Sequence, residues 1–323
     1  MVKKPGSQLK LLSGRSHSKL ANSIARRLGV ELSKTELGNF ANGEISCRIE
    51  ESVRGCDVFI LQSHSPNVND HIIEQALLID AAKRASARSI TAVCPFFGYA
   101  RQDRKSRSRE PIAARLMIDI LTSAGADRIM TIDLHSGQTQ GFFNGPFDHL
   151  IAMPILQGYL KKLPPKDLVV VSPDSGRVKL AERYSSGLTC DMAIIHKYRP
   201  PHKRNTVETK YLIGDVSGKT CVIVDDMIDT AGTICAAAEL LAQNGAKDIY
   251  CVATHGLFSG PAQERIKNSA FKKIIVTDSL PIYTAGPSSK KIEVLSIAPL
   301  IADAITAVYE GTSVSALFGG DNI

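Results

Sequence analysis

The sequence predicts an α/β protein of two tandem domains, each a central, mostly parallel sheet flanked by helices. Three observations carry this expectation. Short β-branched runs alternate with longer helical stretches, which is the rhythm of βαβ units. That rhythm fills both halves of a 323-residue chain, a length that favours two domains over one. Finally, Leu121-x-x-x-Gly125-Ala126-x-x-Ile129, running on to His135, recurs ungapped as Leu241-x-x-x-Gly245-Ala246-x-x-Ile249, running on to His255.

In the first half the pattern gives strands over 58–62, 89–94 and 128–134, with helices over 70–85 and 112–124. In the second half it gives strands over 168–172, 221–225, 248–253 and 273–277, with a helix over 233–244. The duplicated segment reads as a helix ended by glycine, then a buried strand whose far end presents a histidine. Turn residues at Gly145-Pro146 and Leu163-Pro164-Pro165 bracket a helical stretch. The boundary is placed there, giving domains 1–150 and 151–323. Residues 197–204 (KYRPPHKR) are basic, carry prolines and have no apolar period, so a mobile surface loop is expected.

Composition excludes global disorder, with 44% hydrophobic and 22% charged residues. No apolar run approaches the roughly 18 residues of a membrane-spanning helix. Lys3 and Lys4 lead into Pro5 rather than a signal core, so a cytoplasmic protein without a membrane partner is expected. Seven scattered cysteines with no C-x-x-C pair read as reduced core thiols. The formal charge of +7 suits nucleic acid, anionic surfaces or small phosphorylated molecules alike, and the choice falls to local motifs.

The most informative run is Val222-Ile-Val-Asp225-Asp226-Met-Ile-Asp229-Thr230-Ala231-Gly232-Thr233. A buried strand delivers two adjacent carboxylates at its carboxyl end, and a small-residue turn then opens a helix, which is where parallel α/β sheets bind ligands. Thr230, Gly232 and Thr233 offer hydroxyls and close backbone N–H groups to a phosphate. Asp225 and Asp226 would repel that phosphate, so they call for hydrogen-bond donors such as the hydroxyls of a ribose. An ordinary helix cap would need neither two preceding acids nor two threonines.

This run resembles the phosphoribosyl diphosphate loop of the phosphoribosyltransferase fold, so each domain is expected to be phosphoribosyltransferase-like. Pro95-Phe-Phe-Gly-Tyr99-Ala-Arg101-Gln102-Asp103-Arg104-Lys105 resembles the signature of ribose-phosphate diphosphokinase, the synthetase that makes that diphosphate. Physically, Arg101 and Arg104 supply donors for triphosphate oxygens and Gln102 can face a base edge. Phe40-Ala-Asn42-Gly-Glu44 resembles the element that holds the adenine of ATP, an aromatic face for stacking beside two hydrogen-bonding side chains. Alone, its Asn-Gly would read as a hairpin turn.

The resemblance implies further assignments. His135, followed by Gln138-x-Gln140-Gly-Phe-Phe, corresponds to a ligand of the Mg²⁺ carried by ATP, and Asp174 to a second metal contact. His255 is assigned a structural role. Lys197 and Arg199 correspond to the catalytic pair that closes over the reacting phosphates; such mobile cations stabilise charge selectively in the transition state. The ATP side thus comprises Phe40, Asn42, Glu44, Arg101, Gln102, Asp103, Arg104 and His135. The ribose 5-phosphate side comprises Asp225, Asp226, Asp229, Thr230, Ala231, Gly232 and Thr233.

Matching elements extend from Gly14-x-x-His17 to Phe318 and resemble the phosphate-activated, ADP-inhibited class. In that class Ser52, Arg54, Ser86, Arg109, Ser313, Ser315 and Phe318 correspond to an allosteric site between subunits of a homo-hexamer. The implied reaction transfers the diphosphoryl group of MgATP to the anomeric hydroxyl of ribose 5-phosphate. Phosphate and ADP are the implied effectors, and no nucleic acid is expected, because no RNA- or DNA-reading element accompanies the basic stretch. A regulatory homologue without activity would be expected to alter the metal or loop residues, and a salvage phosphoribosyltransferase would need only one such domain. Three departures stand out: Ala231 where many members carry Gly, Asp278 where Asn is common, and Pro200-Pro201 within the loop.

Overall fold

The computed structural model describes residues 8–163, 167–198, 209–282, 286–288 and 290–318. Its contacts form two compact units: Met1–Ile151 with Ser279–Pro281 and Ser296–Ile323, and Ala152–Asp278 with Ile282–Leu295.

The first unit begins with β1 (Leu9–Ser13), α1 (Ser18–Leu28), β2 (Thr35–Asn39), β3 (Ile45–Ile49) and β4 (Asp57–Leu61). It continues with α2 (Val68–Arg84), β5 (Ser89–Cys94), α3 (Ala113–Ala124), β6 (Arg128–Ile132) and β7 (Phe147–Leu150). Strands β1-β4-β5-β6-β7 form one parallel sheet in that order, and β2 and β3 form a separate antiparallel hairpin. Every residue of β4 is buried, as expected of a strand covered on both faces. Helix α1 buries Leu20, Ala21, Ile24 and Ala25, one stripe at helical spacing. Gly29, at φ 69°, ends it in the left-handed conformation that glycine adopts without strain.

The second unit contains α4 (Met153–Leu160), β8 (Leu168–Ser172), α5 (Val178–Leu188), β9 (Asp191–Tyr198) and β10 (Thr209–Ile213). Then come β11 (Thr220–Ile228), α6 (Gly232–Gln243), β12 (Asp248–Gly256), α7 (Ala262–Lys267), β13 (Lys273–Thr277) and β14 (Ile292–Leu295). Its sheet runs β10-β9-β8-β11-β12-β13-β14, parallel except for the β9–β10 pair. After β8 the chain steps to β9 on one side, and it later returns as β11 on the other. The carboxyl ends of β8 and β11 therefore flank a topological switch point, the crevice in which open α/β sheets bind ligands.

Both halves are thus α/β with largely parallel sheets, as the alternating pattern predicts. The last helix, α8 (Ala298–Glu310), groups with the first unit, where the sequence expectation placed everything after residue 150 in the second domain. The reason is local: Ile301, Ala302 and Ile305 are buried on α8, and Asp303 lies 3.5 Å from Arg27 at the end of α1. Residues 279–281 join the same unit, where the Ser63 hydroxyl donates to the Ser279 carbonyl at 2.6 Å.

The duplicated turn is real in its geometry. Ala126 N–H donates to the Leu121 carbonyl and Ala246 N–H to the Leu241 carbonyl, each at 3.0 Å, with Gly125 and Gly245 both at positive φ. The histidines part company. His135 lies beyond the end of β6, whereas His255 sits inside β12 with 1% of its surface exposed, in keeping with its structural role. Lys197 belongs to β9, paired with Lys210 of β10, rather than to the surface loop expected over 197–204. The hydrogen-bonding partner strand fixes its backbone, a long-range effect that local composition cannot show. Residues 199–204 of that expectation lie outside the described residues, Arg199 and Pro200-Pro201 among them.

All seven cysteines are free and buried or half-buried. Burial pushes the Cys94 thiol up to about 12, so it behaves as a core group rather than a nucleophile. No helix among the described residues is long and apolar enough to cross a membrane.

Candidate active site

The acidic run sits where the switch point requires. Asp225 and Asp226 lie near the carboxyl end of β11, and the chain turns through Asp229, Thr230 and Ala231 into α6. Ala231 adopts φ 59° and ψ 6° as the N-cap of α6 and makes no side-chain cap hydrogen bond, so α6 begins as the kind of helix N-terminus that suits an anion. Thr230 and Thr233 are exposed at this opening. An alanine at positive φ carries strain of roughly 1–2 kcal/mol that glycine avoids, offset in part by the larger unfolded-state entropy of glycine. Ala231→Gly is therefore expected to stabilise the fold by up to ~1 kcal/mol, read by thermal denaturation.

Two arginines that the motif reading did not single out complete this region. Arg177, in a short 3-10 turn after β8, donates from Nε to Asp225 Oδ1 at 2.9 Å, and its Nη2 lies 2.6 Å from Asp226 Oδ1. Arg265 on α7 donates to the Thr230 carbonyl at 2.9 Å. Burial, then the neighbouring Asp226, pushes the Asp225 carboxyl up, opposed by Arg177. A hint of Arg177 was present in Asp174-Ser-Gly-Arg177, a turn following a buried strand, but nothing local joins it to residues about fifty positions away.

Asp174 caps that 3-10 turn, its Oδ1 accepting the Gly176 N–H at 3.0 Å. Ser172 Oγ donates to the Asp174 carbonyl at 2.7 Å, so the turn is fixed from both sides.

In the first unit, the Phe40-to-Glu44 run is the tip of the β2–β3 hairpin. Phe40 N–H donates to the Glu44 carbonyl at 2.8 Å, and Gly43 N–H to the Phe40 carbonyl at 2.9 Å. Asn42 accepts from the Glu44 N–H at 3.2 Å, so the Asn-Gly pair does form a turn. Phe40 is 60% exposed at that tip, an aromatic face left open to a planar partner. The hairpin is tethered: Asn39 donates to the Gly43 carbonyl at 3.1 Å and accepts from Arg15 Nη1 at 2.7 Å.

The Pro95-to-Lys105 run is a tight loop after β5. Its base is held by His64, whose Nδ1 accepts the Gly98 N–H at 2.9 Å and whose Nε2 lies 2.9 Å from Gln75 Oε1. Burial pushes this imidazole down to about 4, so it is neutral, and the acceptor at Gln75 assigns the proton to Nε2. A Cβ on Gly98 would come within 2.7 Å of Val68 Cγ2, which requires glycine there. Arg101, Gln102 and Arg104 emerge exposed and Asp103 half-buried. His135 is half-buried beyond β6.

The allosteric candidates fall into groups. Ser313 and Ser315 hydroxyls are 2.9 Å apart, and with Phe318 they line a cavity of about 400 Å³. Arg128, Gln140, Asp148 and His149 also line it, and none of these was assigned to it from sequence. Arg54 donates to the Ser86 hydroxyl at 3.3 Å. Ser52 is exposed, Arg109 adopts φ 69°, and none of Ser52, Arg54, Ser86 or Arg109 lines the cavity.

Family models agree with this architecture. Residues 9–125 match the N-terminal domain of ribose phosphate pyrophosphokinase, and residues 200–319 the phosphoribosyl synthetase-associated domain. A ribose-phosphate pyrophosphokinase of Streptomyces avermitilis is 53% identical over 313 residues, covering 96% of each chain. The chain belongs to the ribose-phosphate pyrophosphokinase family. Another member, from Bifidobacterium longum, is 52% identical and covers 98% of this chain and 94% of its own. The crystal structure of phosphoribosylpyrophosphate synthetase from Mycobacterium smegmatis superposes with a TM-score of 0.88 at 49% identity, over 94% of this chain and 99% of that one.

The Mg²⁺ that this family's resemblance implies can be weighed against the donors present. Among the described residues no group of three or more His, Cys, Asp or Glu side chains is gathered to hold a metal. Mg²⁺ keeps several waters and takes substrate phosphate oxygens, so one or two protein contacts are enough to hold it.

Proposed function

We propose that this chain transfers the β,γ-diphosphoryl group of MgATP to the 1-hydroxyl of ribose 5-phosphate, giving 5-phosphoribosyl 1-diphosphate and AMP. The observation that carries the reading is the acidic pair at a switch point, followed by a helix with no side-chain cap. The uncapped end of α6 offers N–H groups to the 5-phosphate, and Asp225 and Asp226 accept from ribose hydroxyls. Thr230 and Thr233 add hydroxyl donors. Phe40 stacks adenine beside Asn42 and Glu44, Arg101 and Arg104 meet the triphosphate oxygens, Gln102 faces a base edge, and Asp103 belongs to the same ATP-binding run. His135 and Asp174 would contact Mg²⁺, which supplies neutralisation of the phosphate charge. Lys197 and Arg199 add positive charge as the β-phosphorus is attacked. Positioning and charge stabilisation carry the rate, and no strong general base is required.

Regulation by phosphate and ADP is part of the same reading. The cavity lined by Ser313, Ser315 and Phe318 supports an effector site, and the four remaining candidates lie outside its walls. Completing the site from another copy of the chain accords with a homo-hexamer. A cytoplasmic enzyme of nucleotide biosynthesis fits the whole.

The experiment incubates purified protein with MgATP, with and without ribose 5-phosphate, in the presence of phosphate. AMP should form only with the sugar phosphate and in equal amount to the sugar product. ADP as the nucleotide product, or no turnover, would overturn the reading.

A further inference from the structure

Asp225 and Asp226 are consecutive residues of one strand, and consecutive side chains of a pleated strand project to opposite faces. Two such carboxylates do not by themselves converge on one small ligand. Here one guanidinium reaches both, Asp225 Oδ1 at 2.9 Å from Nε and Asp226 Oδ1 at 2.6 Å from Nη2 of Arg177. Pairing of β11 with β8 stops at Ile223–Val171, whereas against β12 one register holds on both sides of Asp226, from Asp225–Ala253 to Met227–His255, so the two acids lie past the last residue pair made with β8. Asp225 Oδ1 also accepts the Asp226 N–H at 2.9 Å, so its carboxylate folds toward its neighbour.

Bringing two anions together is unfavourable unless a cation lies between them. The planar guanidinium is suited to this because its donors diverge at fixed angles, whereas an ammonium is a point charge. The arginine is itself mostly enclosed, with 20% of its side chain exposed, against 15% for Asp225 and 7% for Asp226. A carboxylate has about four acceptor lone pairs, so the two N–H groups on Asp225 Oδ1 and the ion-pair contact at Asp226 Oδ1 leave each acid with capacity for sugar hydroxyls.

We infer that Arg177 is a positioning residue for the sugar: it draws Asp225 and Asp226 into one convergent acceptor for the vicinal 2- and 3-hydroxyls of ribose 5-phosphate. The inference rests on the ribose reading of the Asp225-to-Thr233 loop. It assigns to Arg177 a specificity effect that neither a purely structural side chain nor a simple phosphate-binding cation would show.

The test compares ribose 5-phosphate with 2-deoxyribose 5-phosphate as substrates for the wild type, Arg177→Met and Arg177→Lys, with ATP saturating. Loss of one or two charge-assisted contacts should raise KM for ribose 5-phosphate by ~10- to 100-fold in Arg177→Met. KM for ATP should stay within about 3-fold, and preference for ribose over deoxyribose should fall by ~10-fold, the effect of losing one oriented contact. Arg177→Lys should recover only part of the preference, since a point charge does not span both acids. Should the methionine variant not fold, Arg177→Gln, which keeps donors without charge, takes its place. An unchanged deoxyribose discrimination, or an unchanged KM for ribose 5-phosphate, overturns the inference. Asp225→Asn in the same assay separates the two levels. If it raises KM for ribose 5-phosphate while the Arg177 variants are silent, only the role of Arg177 falls; if it has no effect, the ribose reading of the loop falls too.

Discussion

Lys197→Ala is expected to lower kcat by ~10²–10³ while leaving KM for ATP within about 3-fold of wild type. Negative charge grows on the phosphoryl oxygens as the diphosphoryl group moves between oxygens, so a cation engaged mainly in the transition state acts on turnover rather than on binding. Lys197 stands one residue before the end of β9, opposite Lys210 on the antiparallel partner strand. That ladder anchors the backbone of the residue. Steady-state kinetics with both substrates varied checks the expectation. Equal losses in kcat and in ATP affinity would make Lys197 a binding residue only.

Glu74→Ala is expected to destabilise the first unit by about 2 kcal/mol, the range for losing hydrogen bonds to a buried charged group whose partner Arg15 is 40% exposed. Glu74 on α2 is 1% exposed, and its carboxylate accepts three hydrogen bonds. Oε1 takes the Arg15 N–H at 2.7 Å and the Gln62 amide at 2.8 Å, and Oε2 takes Arg15 Nε at 2.5 Å. Truncation leaves a void and strips the buried Gln62 amide of one of its acceptors, the other being the His71 carbonyl. Arg15 also reaches Asn39 at the base of the β2–β3 hairpin, so loosening should extend to Phe40. Denaturant unfolding followed by far-UV circular dichroism reads the change. Glu74→Gln, which keeps an acceptor oxygen, should cost less than half as much, and equal losses would assign the effect to packing rather than to hydrogen bonding.

Sequence made the central strands and their following loops legible, because a strand buried on both faces must be a continuous apolar run. Thus 89–94 and 168–172 match β5 and β8 in both bounds, and the helix expected over 112–124 begins one residue later. The acidic run was legible for the same reason: it interrupts such a strand abruptly. Elements at the margins were not. The β2–β3 hairpin has no fully buried residue and no strong alternation, and β9–β10 depends on pairing with a strand beyond the basic stretch. Helix α8 has a clear apolar face, but which unit receives it is a matter of tertiary packing. The polar network of Glu74, Gln62 and Arg15 was invisible because each residue, taken alone, reads as surface. Arg177 was missed for a related reason, since its partners lie on a strand adjacent in space and distant in sequence. Of the residues expected to act on phosphates, Arg101 and Arg104 are exposed on one loop, beside Gln102, which is expected to face a base edge.

The fate of labelled phosphate tests the central claim most directly. With ribose 5-phosphate as acceptor, ATP labelled separately at the α-, β- or γ-phosphorus is followed into the products. The account predicts that β and γ labels enter the sugar product in equal amounts while the α label stays in AMP. Transfer of the γ label alone, with the β label retained in ADP, would contradict it.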